Sequence, residues 1–140
     1  MSREPIWLLE SVVLALHDEQ IAEHGGLEGL RDEGLLDSAL ARPRHAFAYG
    51  DPSLFEMAAA LAVGICKNHP FLDGNKRTSL VATELLLELN GFDLAASDAE
   101  IVSVWRSLAE RSVTEAELVE WLERHCTRAR EGSARELGAN

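Results

Sequence analysis

The chain has 140 residues and a mass of 15.4 kDa, enough for one compact domain and little more. Hydrophobic residues at 46% and charged residues at 26% form an ordinary globular balance, which excludes a chain disordered throughout. The formal net charge of −11 would be repelled by a phosphodiester backbone or an anionic bilayer, so neither nucleic acid nor membrane is an expected partner.

The opening stretch MSREPIWLLE lacks the apolar core of a signal peptide. The longest nearly apolar run, from Leu54 to Cys66, contains Glu56 and is too short to span a bilayer. Cys66 and Cys126 make no disulfide framework and read as free thiols in a reducing cytoplasm, the expected location.

Helical periodicity dominates. Pro5 suits a first helical turn, and Ile6, Leu9, Val13 and Leu16 continue at helical spacing until Gly25-Gly26 stops the helix. A short helix around Glu33–Ala41 is expected to end at Pro43. Residues 42–53, RPRHAFAYGDPS, alternate His45, Phe47 and Tyr49 between prolines. Within them, 44–50 reads either as an extended flap whose edge a target strand could join, or as a loop whose aromatics pack down. Asp51-Pro52 then opens a helix from about Ser53 to Lys67 that is apolar on most faces, as the buried centre of a small helical domain would be. Another runs from about Arg77 to Leu89 and stops at Asn90-Gly91. Ser97 with Glu100, and Thr114 with Glu117, have capping-box spacing and start helices over about 98–109 and 115–130. The expected fold is all-α, about six helices with one short extended flap before the central helix.

Between the apolar helix and the next lies HPFLDGNKR, residues 69–77. Pro70 keeps His69 out of the α region and ends the helix. Asp73-Gly74-Asn75 is turn chemistry, and the helix that follows, beginning near Asn75 to Arg77, offers unpaired first-turn N–H groups at its positive end, an anion site. Gly74 admits close approach to the backbone, Asn75 can order the loop, and Lys76 and Arg77 place positive charge where phosphate oxygens would lie. Asp73 is a hard oxygen ligand suited to Mg²⁺, and His69 is the one good proton acceptor near neutral pH in the stretch.

This motif resembles the signature of the Fic/Doc family: His-Pro-Phe, two residues, Gly-Asn, one residue and Arg. The order of elements resembles the compact Doc (death-on-curing) toxin branch. HGGLEGLRDEGLL at 24–36 precedes the motif and NGFDL at 90–94 follows it. The resemblance implies a Fic/Doc domain over residues 1–128 with a C-terminal tail at 129–140. It implies His69 as catalytic base on a target hydroxyl, Asp73 as the Mg²⁺ ligand, Gly74 and Asn75 as the anion hole, and Arg77 as a phosphate ligand, with Phe71 structural. AMP-transferring members usually carry Gly where this chain has Lys76. Doc-type members carry Lys, bind ATP in the reversed sense and transfer its γ-phosphate. The implied protein is therefore the kinase toxin of a toxin–antitoxin system, with an antitoxin partner and elongation factor Tu as the first guess for its target. The alternatives are AMP transfer onto a protein hydroxyl and, in a different class, a catalytically idle nucleotide- or partner-binding module.

His17-Asp18 invites a metal phosphohydrolase reading, but that pattern needs a histidine upstream and none precedes position 17. His17 and His24, at i and i+7 of one helix, are read as surface or flap-supporting residues. His125 suits a helix C-terminus. Thr127–Gly132, TRAREG, matches the Ser/Thr-x-x-x-Glu-Gly/Asn pattern of an inhibitory helix and makes Glu131 a candidate brake. Glu131→Gly would test it, and inhibition by a separate antitoxin is the preferred expectation.

Overall fold

The structure is a computed structural model and describes residues 4–129. Six helices are found among these residues: α1 (Glu10–His24), α2 (Glu33–Tyr49), α3 (Leu54–Asn68), α4 (Asn75–Leu89), α5 (Asp98–Ala109) and α6 (Glu115–His125). Two short strands, β1 (Phe92–Leu94) and β2 (Cys126–Arg128), pair antiparallel with Phe92 opposite Arg128 and Leu94 opposite Cys126.

α3 is the axis of the bundle. Every residue from Met57 to Cys66 is buried, and α2, α4, α5 and α6 pack around it. Its start is set locally by a capping box, Ser53 accepting from the Glu56 amide while Glu56 accepts from the Ser53 amide. Small residues let α2 approach closely. A Cβ on Gly64 would lie 3.1 Å from the Ala39 backbone. Arg42 of α2 then ties three helices together, donating to the Ala60 carbonyl and to Glu115 of α6, each at 2.7 Å. Trp105 of α5 reaches into the core and donates its indole N–H to Ser79 of α4. No helix among the described residues is long and apolar enough to cross a membrane.

The all-α architecture is as expected, with differences in three places. Residues 44–49 are the last turns of α2, not an extended flap or a loop, and the helix runs through Pro43 instead of stopping there. The cause is a contact from far away in sequence. Trp7 packs edge-on to Phe47 with ring centres 5.9 Å apart and lies under the Arg44 guanidinium, so residues 44 and 47 share one helical face. Residues 5–9, expected to be helical, precede α1. Ile6 is held there by Asn90, whose side chain accepts from the Ile6 amide and donates to its carbonyl. α6 ends at His125 instead of near 130, because residues 126–128 pair with β1. α4 begins at Asn75, within the expected start between Asn75 and Arg77.

Candidate active site

α3 ends at Asn68, and His69 caps it in the left-handed region at φ 48°, ψ 57°. Such a backbone is unusual for a non-glycine residue and is held by its neighbours. Arg31 holds it. Its Nε donates to the His69 carbonyl and an Nη to the Asn68 carbonyl, both at 2.7 Å, which satisfies two acceptors at the end of α3. The amides of Arg31 and Asp32 donate to the Pro70 carbonyl at 2.7 and 3.0 Å, and the Leu72 amide donates to the Gly29 carbonyl at 3.1 Å. Leu30 and Phe71 form an isolated antiparallel bridge. Residues 26–32 are thus the second side of the motif loop.

Beneath the loop lies His17, which is buried; of the two expectations for it, surface or flap-supporting, the surface one does not hold. Its ring stacks on Phe71 with centroids 3.9 Å apart and planes 6° apart, and its Nε2 is 2.8 Å from the Asp73 carbonyl. A carbonyl only accepts, so that nitrogen carries the proton. Asn75, also buried, closes the loop with a two-point bond. It accepts from the Phe71 amide at 2.9 Å and donates to the Phe71 carbonyl at 3.0 Å. Its side chain therefore orders the loop, and what it can offer an anion is its backbone N–H.

The chemistry-bearing groups face out. His69 is exposed, and its ring's one polar neighbour among the described residues is Asn75 Nδ2, a weak contact at 3.5 Å from Nδ1. A ring nitrogen is free to take a proton. Asp73 is exposed as well, one oxygen accepting from the Gly74 amide at 2.9 Å and the other from the Leu27 amide at 3.2 Å. Gly26 makes this possible. At φ 121° a Cβ there would lie 2.7 Å from Asp73 Oδ2. Each carboxylate oxygen keeps a further lone pair, so Asp73 fits a hard cation held by one carboxylate together with ligand phosphates.

α4 opens differently from the other five helices. α1, α2, α3, α5 and α6 each carry an acidic residue in the first turn, and α4 carries none. Its N-cap, Gly74, sits at φ 74° with no side-chain cap. Its first turn instead presents Lys76 and Arg77, both exposed and without an ion pair among the described residues. These two and Gly74 line a cleft of about 440 Å³ whose other wall comes from α5, through Val102, Trp105 and Arg106. His24 of α1 also lines it. The structure thus brings Gly74, Lys76 and Arg77 to one cleft and places His69 and Asp73 on the loop leading into it; His69 is not among the residues lining the cleft. Glu131 lies outside the described residues. Thr127 and Arg128, which open its motif, are in strand β2 and not in the expected helix.

Sequence reasoning missed Arg31, Gly26 and Arg106 and misplaced His17. The Gly-Gly doublet and the RD pair in HGGLEGLRDEGLL were the available signal for the first two.

The site is a loop stapled by buried side chains that opens onto an uncapped, cationic helix start in an all-α bundle. The comparisons give the family. The Fic/DOC family model matches residues 7–87, and the chain belongs to that family. It is 48% identical over 75 residues to Toxin Doc of Mycolicibacterium smegmatis (strain ATCC 700084 / mc(2)155), covering 51% of this chain and 57% of that protein. It is 39% identical over 80 residues to Protein kinase doc of Escherichia phage P1, covering 56% of this chain and 64% of that protein. The chain thus matches less than two thirds of the length of either relative.

Proposed function

We propose that this chain is a Doc-type toxin that phosphorylates a target protein with ATP. The observation that carries the reading is the intact motif with Lys76 beside Arg77 on an acid-free first turn, in a family two of whose members are named Toxin Doc and Protein kinase doc. His69 takes the proton from the target hydroxyl. The hydroxyl oxygen forms a bond to the γ-phosphorus, the bond from that phosphorus to the β-bridging oxygen breaks, and ADP leaves. Arg77, Lys76 and the first-turn N–H groups of α4 bind the donor phosphates. Asp73 would hold Mg²⁺, which supplies neutralising charge on those phosphates when bound. The side chain of Lys76 fills space that a glycine would leave to the α- and β-phosphates, which favours the reversed donor. An antitoxin is the proposed partner, and elongation factor Tu is the first target to assay.

Intact-mass measurement of the target after incubation with ATP and Mg²⁺ tests this. The expected gain is one phosphate with this chain and none with His69→Ala. A gain of one AMP would establish the transferase alternative, and no gain with any candidate target would favour a binding module.

A further inference from the structure

We propose that Arg106 of α5 is a phosphate ligand from the far wall of the cleft, and that it makes the site select a triphosphate over a monophosphate. The inference rests on reading the α4 cradle as the donor site and adds a residue from outside the motif.

The chain has 24 acidic residues against 13 Lys and Arg, so an acidic neighbour for any cation is easy to supply. Three arginines outside the cleft have partners, whereas Arg111 and Arg124 are exposed without an ion pair among the described residues, so what sets the cleft apart is convergence. Arg42 pairs with Glu115, Arg31 spans two carbonyls and Arg44 lies over Trp7. Lys76, Arg77 and Arg106 are exposed, unpaired among the described residues, and line the same cleft from two helices. Like charges converging without a counter-charge repel, and a bound anion relieves that repulsion. The rest of the lining is His24, Gly74, Leu80, Val102 and Trp105, so among the described residues no carboxylate lines the cleft to compete with an anion. A monophosphate neutralises one wall. A triphosphate, with its charge spread along a chain, meets both, and a guanidinium offers it two parallel N–H donors. The plainer role for Arg106 is to offset the negative end of α5, in whose last turn it lies. That role predicts a change in stability and none in anion affinity.

Calorimetric titration of the purified protein with ATP, AMP and inorganic tripolyphosphate, each with Mg²⁺, separates the two. Arg106→Gln should weaken ATP and tripolyphosphate about tenfold, the value of one charged hydrogen-bonded contact, and leave AMP within about twofold. Arg106→Lys keeps the charge and should recover most of the loss. Glutamine is a good helix former at this exposed position, and circular dichroism should show an unchanged fold. Unchanged ATP affinity in Arg106→Gln, an equal loss for ATP and AMP, or no recovery with lysine would overturn the assignment. If the parent binds tripolyphosphate through Arg106 but not ATP, the polyphosphate site stands and the nucleotide reading fails. If it binds neither, both fall.

Discussion

Replacing His17 tests whether the motif loop is held from below. The imidazole is 1% exposed, stacks on Phe71 and is the one donor to the Asp73 carbonyl among the described residues. His17→Phe keeps a flat ring against Phe71 and removes that donor, together with a distant 3.9 Å approach of Nδ1 to the exposed Asp18 carboxylate. The bond is part-buried, so its loss should cost toward the low end of the about 1–3 kcal/mol of an unsatisfied buried group. His17→Ala loses the stack and leaves a void, and about 3–5 kcal/mol is expected, as for other large-to-small core changes. For a domain of this size each kcal/mol lowers the melting temperature by about 3–4 °C. Urea unfolding should show a lower midpoint with an unchanged slope. Transfer should fall further than stability does. The Asp73 carbonyl immediately precedes the Gly74 amide, and a misplacement of about 1 Å at a reacting site can cost 10²-fold. A His17→Phe protein with the parent's urea midpoint and the parent's phosphorylation rate would show that the bond does nothing, and the account of the loop would be wrong.

Gly25 and Gly26 form a matched pair. Gly25→Ala meets no atom within 4 Å and should cost only the strain of its backbone at φ 81°, ψ 175°, about 1–3 kcal/mol, whereas Gly26→Ala also drives a Cβ into Asp73 Oδ2 and should weaken Mg²⁺-dependent ATP binding. Lys76→Gly should lower phosphorylation of the target by about tenfold or more, read by intact mass, and equal phosphorylation would reduce Lys76 to a solvated side chain. Burial first, then Glu88 and Asp98, raise the pKa of Glu84. The folded state therefore holds that proton more tightly than the unfolded one, and stability falls as pH rises from the group's ordinary value through the raised one. Glu84→Gln should accordingly raise the melting temperature at pH 7 and change nothing at pH 4; a gain at both would put its cause elsewhere.

The parts of the fold that could be read from sequence are those with local causes. Thr114 and Glu117 cap α6 reciprocally, Ser97 accepts from the Glu100 amide at the start of α5, and the unbroken apolar run of α3 is buried. The misread parts have distant causes. Ile6 is fixed by Asn90, 84 residues away, and the end of α2 is fixed by Trp7. Cys126–Arg128 leaves the helix because β1 offers it a partner. Helix propensity is a weak prior, and a single tertiary contact is enough to override it. Pro43 shows the same from the other direction, since a helix-breaking residue sits within a helix that its surroundings hold together.

The site divides in the same way, and the division predicts which kind of damage each substitution does. The motif's exposed residues, His69, Asp73, Lys76 and Arg77, have side-chain chemistry that names itself from sequence. The residues that place them act largely through main chain: Arg31 on the carbonyls of Asn68 and His69, His17 on that of Asp73, Asn75 on both polar groups of Phe71. A main-chain carbonyl carries no residue identity, so no spacing rule reveals who binds it. Asn75 orders the loop, as expected, through a side chain spent on Phe71, and a shorter side chain there would leave two buried backbone groups unpaired. Asn75→Ala should thus lose stability and activity together. Arg77→Ala, which removes an exposed side chain with no ion pair among the described residues, should lose donor affinity and leave the unfolding midpoint in place.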